Sequence, residues 1–203
     1  MNASSSPPQA PTFDEMRRIL RDLPGPDLEA QTHVVRRQTE LTKPPGSLGR
    51  LEELAEWLAC WQGRAQPRIE RPRVAVFAGT HGVARRGVSA YPPEVTQQMV
   101  QNFLKGGAAI NQLAAAIDAD LRIYELDLDH PTEDFTQAPA MSEARAANAM
   151  AYGMMAAETG IDVLCVGEMG IANTTAATLS AALFGGTGED WAGPGTGVQG
   201  AAR

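Results

Sequence analysis

Residues 161–175 read Ile-Asp-Val-Leu-Cys-Val-Gly-Glu-Met-Gly-Ile-Ala-Asn-Thr-Thr, and this stretch decides the fold. Ile161–Gly167 is a short apolar run of β-formers, as expected of a strand buried in a parallel sheet. Gly167 and Gly170 would let the backbone approach a ligand, and Asn173–Phe184, mostly Ala and Thr, reads as the following helix. The same passage from strand to helix occurs upstream. Val74–Ala78 is apolar and stops at Gly79, and helical stretches follow over about 92–104 and 108–116. Leu121–Asp127 then alternates like a strand, ahead of an Ala- and Met-rich helix over 142–159 with Glu143 in its first turn. Strand–helix alternation of this kind gives a parallel sheet with helices on its faces. The expected class is α/β, with three strands amounting to half of a doubly wound sheet.

Upstream of residue 72 the pattern is helical. Thr12-Phe-Asp-Glu15 has capping-box spacing, and Phe13, Met16, Leu20 and Leu23 follow with helical periodicity. Pro24-Gly25-Pro26 ends that helix, and Asp27 can cap a second one running to about Gln38. A third is expected from Ser47, where Leu48, Leu51, Leu54, Leu58 and Trp61 form a stripe that reads as core packing. The expected organisation is a disordered Ser/Pro leader (1–11), a helical region (12–65) and an α/β core (72–203).

Composition narrows the function. Seventeen Lys and Arg against 24 Asp and Glu leave a net charge of −7, which argues against a general nucleic-acid or anionic-membrane surface. No apolar stretch approaches the roughly 20 residues of a membrane span. The first residues lack the basic and apolar regions of an export signal. With only Cys60 and Cys165, and no disulfide framework, the expected location is the cytoplasm. His33, His81 and His130 are far apart, and no His-x-x-x-His or Cys-x-x-Cys spacing suggests a metal. No Gly-x-Ser-x-Gly elbow or Gly-x-Gly-x-x-Gly fingerprint occurs, so neither a serine hydrolase nor a nicotinamide dehydrogenase is supported.

In open α/β sheets, ligands bind beyond the carboxyl ends of the strands. That rule selects Gly79–Tyr91 and Gly167–Thr175, with Gly193–Gly197 as a third loop. Glu168, beside Val166 and Met169, has the place of a general base or of a hydrogen-bonded structural carboxylate. Asn173, Thr174 and Thr175 are either donors to a phosphate or ordinary helix caps. His81 is either a loop anchor or a ligand-orienting group. Arg85 and Arg86 would hold an anion or form a solvated turn. Tyr91-Pro92 would wall a flat ligand that Gln97 or Gln98 could hydrogen-bond, or Tyr91 would be a buried, satisfied core residue. Glu125, Asp127 and Asp129 read most simply as a strand end entering a loop.

Four blocks together resemble one family. They are Leu41-Thr-Lys-Pro-Pro-Gly-Ser-Leu-Gly-Arg-Leu-Glu52, then Phe77-Ala-Gly-Thr-His-Gly-Val-Ala84 with Gly87-Val-Ser-Ala-Tyr-Pro-Pro-Glu-Val-Thr-Gln-Gln-Met99, then Asn102-Phe-Leu-Lys-Gly-Gly-Ala-Ala-Ile-Asn111, and Gly167-Glu-Met-Gly-Ile-Ala-Asn-Thr-Thr-Ala176. In order and in wording the chain resembles the nicotinate-nucleotide–dimethylbenzimidazole phosphoribosyltransferases from about residue 30 to Gly197. The resemblance implies a Rossmann-like parallel sheet with flanking helices, of which this sequence would hold the N-terminal half. It implies transfer of ribose phosphate from nicotinate mononucleotide to 5,6-dimethylbenzimidazole in cobalamin assembly, with no cofactor, and a homodimer for the complete family fold.

Carried over by motif, Ser89, Tyr91 and Gln97 would border the benzimidazole pocket, with Gln98 as the one-residue alternative. Met169 and Ile171 would line the ring slot. Gly170, Asn173, Thr174, Thr175 and the loop Gly195-Thr196-Gly197 would face the nucleotide and its phosphate. Glu168 matches an active-site acidic position. The sequence departs from the family pattern at Thr80 (Asp or Asn expected), Ala172 (Gly expected) and Pro194 (Arg expected). The family's further half, with its phosphate-contacting lysine and usual glutamate base, has no counterpart before Arg203, and Val198–Arg203 does not resemble the family's acidic continuation. The expectation is therefore a shortened chain. It would be an enzyme, a non-catalytic binding or assembly module that docks on a full-length homologue, or a truncated product that does not fold alone.

Overall fold

The computed structural model describes residues 11–193, 195 and 197–198. The expected disordered leader lies outside the described residues except for Pro11. Helices α1 (Phe13–Arg21), α2 (Leu28–Glu40) and α3 (Arg50–Gln62) come first. Thr12 and Asp27 cap α1 and α2 by accepting from the amides of Glu15 and Ala30, as their spacing predicts. The segment before α3 does not extend that helix back to Ser47. It is a run of turns closed by an ion pair from Lys43 to Glu52 at 2.7 Å, and Glu52 also accepts from the Leu48 amide. The apolar stripe of α3 is not core. Leu48, Leu51, Leu54 and Trp61 are exposed, whereas Ala59 and Cys60 are buried. The helix turns its small residues toward α2, where the Asp27 amide bonds the Cys60 carbonyl at 2.9 Å.

The sheet follows the sequence pattern. β1 (Pro72–Ala78) leads through a short 3₁₀ turn (Gly82–Arg86) into α4 (Val95–Leu104) and α5 (Ala109–Ala116), and then into β2 (Asp120–Glu125). Next come α6 (Glu143–Ala156), β3 (Val163–Met169), and the short helices α7 (Asn173–Ala177), α8 (Ser180–Phe184) and α9 (Gly188–Trp191). The single helix expected over 173–184 is thus two, because Thr178 and Leu179 end the first and start the second. All pairing is parallel and the strand order is β2-β1-β3, so the chain leaves β1 to one side and returns on the other.

Alternation along β1 sorts the two faces. Val74 and Val76 pack against Phe103, Ala108 and Ala114 from the α4–α5 side. On the opposite face Phe77 stacks on Tyr124 at 5.1 Å, and Tyr152 of α6 meets Tyr124 edge-on. At the amino end of this face the buried Arg73 binds Asp120, Glu158 and the Ala156 carbonyl. β1 is buried almost throughout, as a central strand should be. β3 is not the fully buried strand that its composition predicts: Cys165, Val166 and Glu168 are exposed. Among the described residues it has β1 on one side and no strand on the other.

Candidate functional site

The order β2-β1-β3 places the topological switch between β1 and β3, where a ligand crevice is expected. A hollow of about 370 Å³ lies there, lined by Phe77, Gly79, His81, Leu126, Glu168, Met169, Asn173, Thr174 and Ala177. Its size suits a small molecule. Phe77 and Glu168 are register partners on neighbouring strands, so an aromatic ring and a carboxylate share one edge of it. Glu168 is the penultimate residue of β3 rather than a loop residue, so its backbone is held by the ladder.

Beyond Glu168 the chain is fixed residue by residue. The Met169 carbonyl accepts from Gly79 N–H at 3.0 Å. Gly170 faces Gly79 and His81, and a Cβ there would lie 2.5 Å from the Gly79 carbonyl oxygen and 3.0 Å from His81 Nε2. Only glycine fits that approach. Ile171 N–H donates to the Thr96 hydroxyl at 3.1 Å. Ala172 adopts φ +73°, the left-handed region, where the glycine that the resemblance leads one to expect would carry no Cβ penalty. Asn173 then opens α7. Its amide donates to the Glu168 carboxylate, and its oxygen accepts from Thr174 N–H at 2.7 Å.

His81 stands between this hollow and a second one of about 490 Å³, lined among others by Leu126, Met141, Arg145, Asn148 and Tyr152. Burial pushes the imidazole below its ordinary value of 6.5, against the opposing pull of the Glu168 charge. At neutral pH it is therefore an uncharged ring able to donate and accept. Thr80 is buried, and its hydroxyl donates to the Leu128 carbonyl at 3.1 Å.

The other sequence-derived candidates fall in several places. Glu168, Met169, Asn173 and Thr174 come together in the first hollow. Gly170 lies against His81, and Ile171 is buried at 4% exposure. Thr175 is half-buried, and its carbonyl accepts from Thr178. Gly195 comes close to Thr174, which lines the hollow, and an added Cβ would meet the Thr174 hydroxyl at 2.9 Å. Gly197 is exposed at φ +94°, and Pro194 and Thr196 lie outside the described residues. Ser89 is half-buried and accepts from Tyr91 N–H, while Tyr91 is 57% exposed rather than a core residue. Gln97 donates to Asp129 at 3.2 Å and lines, with Gln98, a separate acidic hollow of about 750 Å³. Arg86 is engaged by Asp134 and Thr136. Sequence reasoning missed Phe77, Leu126 and Thr96. The position of Phe77 and Leu126 at strand carboxyl ends was the available signal for the first two. Among the described residues no group of His, Cys, Asp and Glu could hold a metal ion, and no helix is long and apolar enough to cross a membrane.

Fold and site together define an α/β protein with a hollow and a carboxylate at the switch point of a parallel sheet. A family model described as "Phosphoribosyltransferase" matches residues 23–203. A nicotinate-nucleotide–dimethylbenzimidazole phosphoribosyltransferase of Allorhizobium ampelinum is 60% identical over 189 residues, covering 93% of this chain and 55% of that protein. The Brucella anthropi protein of the same name is 55% identical over 201 residues, with 98% and 58% covered. The crystal structure of CobT from Thermus thermophilus superposes with a TM-score of 0.77 at 44% identity, over 86% of this chain and 58% of that one. The chain belongs to the nicotinate-nucleotide–dimethylbenzimidazole phosphoribosyltransferase family. It spans a little over half the length of these relatives.

Proposed function

We propose that the chain acts in phosphoribosyl transfer from nicotinate mononucleotide to 5,6-dimethylbenzimidazole, giving α-ribazole 5′-phosphate and nicotinate. The observation that carries this reading is the pairing of Glu168 with Asn173 at the β1–β3 switch point, beside the Phe77 ring. In the reaction a benzimidazole nitrogen attacks the anomeric carbon with inversion. The bond from that carbon to the nicotinate nitrogen breaks, and its electron pair neutralises the ring cation. The benzimidazole N–H proton passes to a carboxylate, the role given to Glu168, whose orientation the Asn173 amide sets. Met169 and Ile171 belong to the ring side, with Ser89, Tyr91 and Gln97 bordering the acceptor. Gly170, Asn173, Thr174, Thr175, Thr196 and Gly197 belong to the nucleotide side. The reading includes a cytoplasmic location and a second copy of the chain as partner in the complete family fold.

A second reading rests on the exposed β3, which among the described residues has a strand on one side only: a binding or assembly module of the same family that takes the nucleotide without chemistry. Incubation with both substrates separates the two. Ribazole phosphate formed by the wild type, and reduced about 100-fold or more by E168Q with nucleotide affinity kept within about threefold, supports catalysis by Glu168. Nucleotide binding without product supports the module. Neither binding nor product sinks both.

A further inference from the structure

Arg73, Thr80 and Thr96 are buried polar or charged side chains. Arg73 is taken up by Asp120 and Glu158 at the amino end of the sheet, and Thr80 by the Leu128 carbonyl. Thr96 is different. It is the second residue of α4, fully buried, and its hydroxyl accepts from the amide of Ile171, 75 residues away. Resting on the reading above, we infer that Thr96 is a positioning residue: its hydroxyl sets the Met169–Asn173 turn, and with it Glu168 and Asn173, against the segment that carries Ser89, Tyr91 and Gln97.

The geometry of the turn supports this. Its other restraints come from the continuation of β1, through the Gly79 amide and the Gly79–His81 surface under Gly170, or from the turn itself, where Asn173 N–H bonds the Gly170 carbonyl at 3.1 Å. Thr96 supplies a restraint from α4, the helix that Ser89 and Tyr91 lead into and Gln97 belongs to. The bond therefore ties the helix that carries the acceptor-border residue Gln97 to a turn that holds Ile171 of the ring side next to Gly170 and Asn173 of the nucleotide side. A β-branched side chain suits the task, because its hydroxyl is held in few rotamers. The amide it serves is buried, and a buried N–H without an acceptor is costly. Valine would fill the same space and leave that amide unserved, whereas serine would keep the acceptor.

The test compares T96V, T96S and V34A in the full chain, V34A being a buried truncation in α2 remote from the turn. Three quantities are read: hydrogen exchange at the Ile171 amide, calorimetric affinity for nicotinate mononucleotide, and the thermal midpoint. T96V is expected to speed exchange at Ile171 and to weaken nucleotide binding, each by about tenfold. T96S is expected to bring both back to within about threefold, and V34A to lower the midpoint while leaving affinity unchanged. If T96V behaves like V34A, losing stability but keeping affinity, the inference is overturned and Thr96 is structural only. A wild-type chain that binds no nicotinate mononucleotide overturns the reading of function, and this inference with it. Tight binding by both wild type and T96V overturns the inference alone.

Discussion

His81 follows the last residues of β1, and its ring lies against Gly170 and within reach of the Glu168 field. Burial lowers its pKa below 6.5, and Glu168 raises it again in part. A proton-detected titration should therefore show an imidazole midpoint below 6.5, and E168Q should move it further down. An unchanged midpoint in E168Q would show that the two groups do not sense each other. The linkage has a definite sign. The unfolded chain takes the proton first, so stability is intact above pH 6.5 and declines as the pH falls from 6.5 toward the folded value. Ala172 gives a second test of the same turn. Its left-handed φ costs a Cβ-bearing residue about 1–2 kcal/mol, offset in part by the greater unfolded-state freedom of glycine. A172G is expected to stabilise the chain by about 0.5–1 kcal/mol in urea unfolding, whereas G170A should destabilise it, because its methyl group would press on the Gly79 carbonyl.

At the scale of elements, the strands were the most legible feature. Val74–Ala78, Leu121–Asp127 and Ile161–Gly167 were all marked by β-formers ending at Gly or Asp, and each became a parallel strand within two residues of those limits. The candidate site was legible only where position along a strand decides it. Glu168 and Asn173 follow from the strand-to-helix turn, but Thr96 reaches Ile171 across 75 residues, a distance no local periodicity reports. The exposure of the α3 stripe escaped for a related reason: periodicity identifies an apolar face but not whether anything covers it. Arg73 is the converse, a charged residue in an apolar strand that tertiary partners make acceptable. Its hydrogen bond and charge hold Glu158 below the usual value of 4.5. Stability from that contact is present above pH 4.5 and lost as the pH falls through the folded value. In R73M, carbon-detected titration should return Glu158 toward 4.5, and the stability gap between wild type and variant, measured by urea unfolding, should narrow as the pH falls below 4.5.

At the scale of the whole molecule, the distribution of apolar surface is uneven. The core lies between β1–β2 and the α4–α5 layer, where Val74, Val76 and Phe103 are buried. The β3 side is open: Val166 is 73% exposed, and in the segment after it Leu183 and Phe184 are 81% and 74% exposed. Among the described residues β3 pairs with β1 alone, so its outer side offers unpaired backbone groups, and apolar side chains beside it remove the usual protection against strand-to-strand association. Charge on such an edge is the common safeguard, yet between Val163 and Met169 the single charge is Glu168, near the carboxyl end. The isolated chain is therefore expected to self-associate, with a sedimentation coefficient that rises with protein concentration. V166K places a charge at mid-strand on an exposed position, where it costs little stability. It should flatten that concentration dependence while leaving the far-ultraviolet circular dichroism and nicotinate mononucleotide affinity unaltered. V35K, at a 44% exposed position on α2, is the control and should leave association as in the wild type. If V35K and V166K change association equally, net charge governs it and the β3 edge is not the contact. A wild type whose sedimentation is independent of concentration would show that the open strand is protected by the chain's own surface.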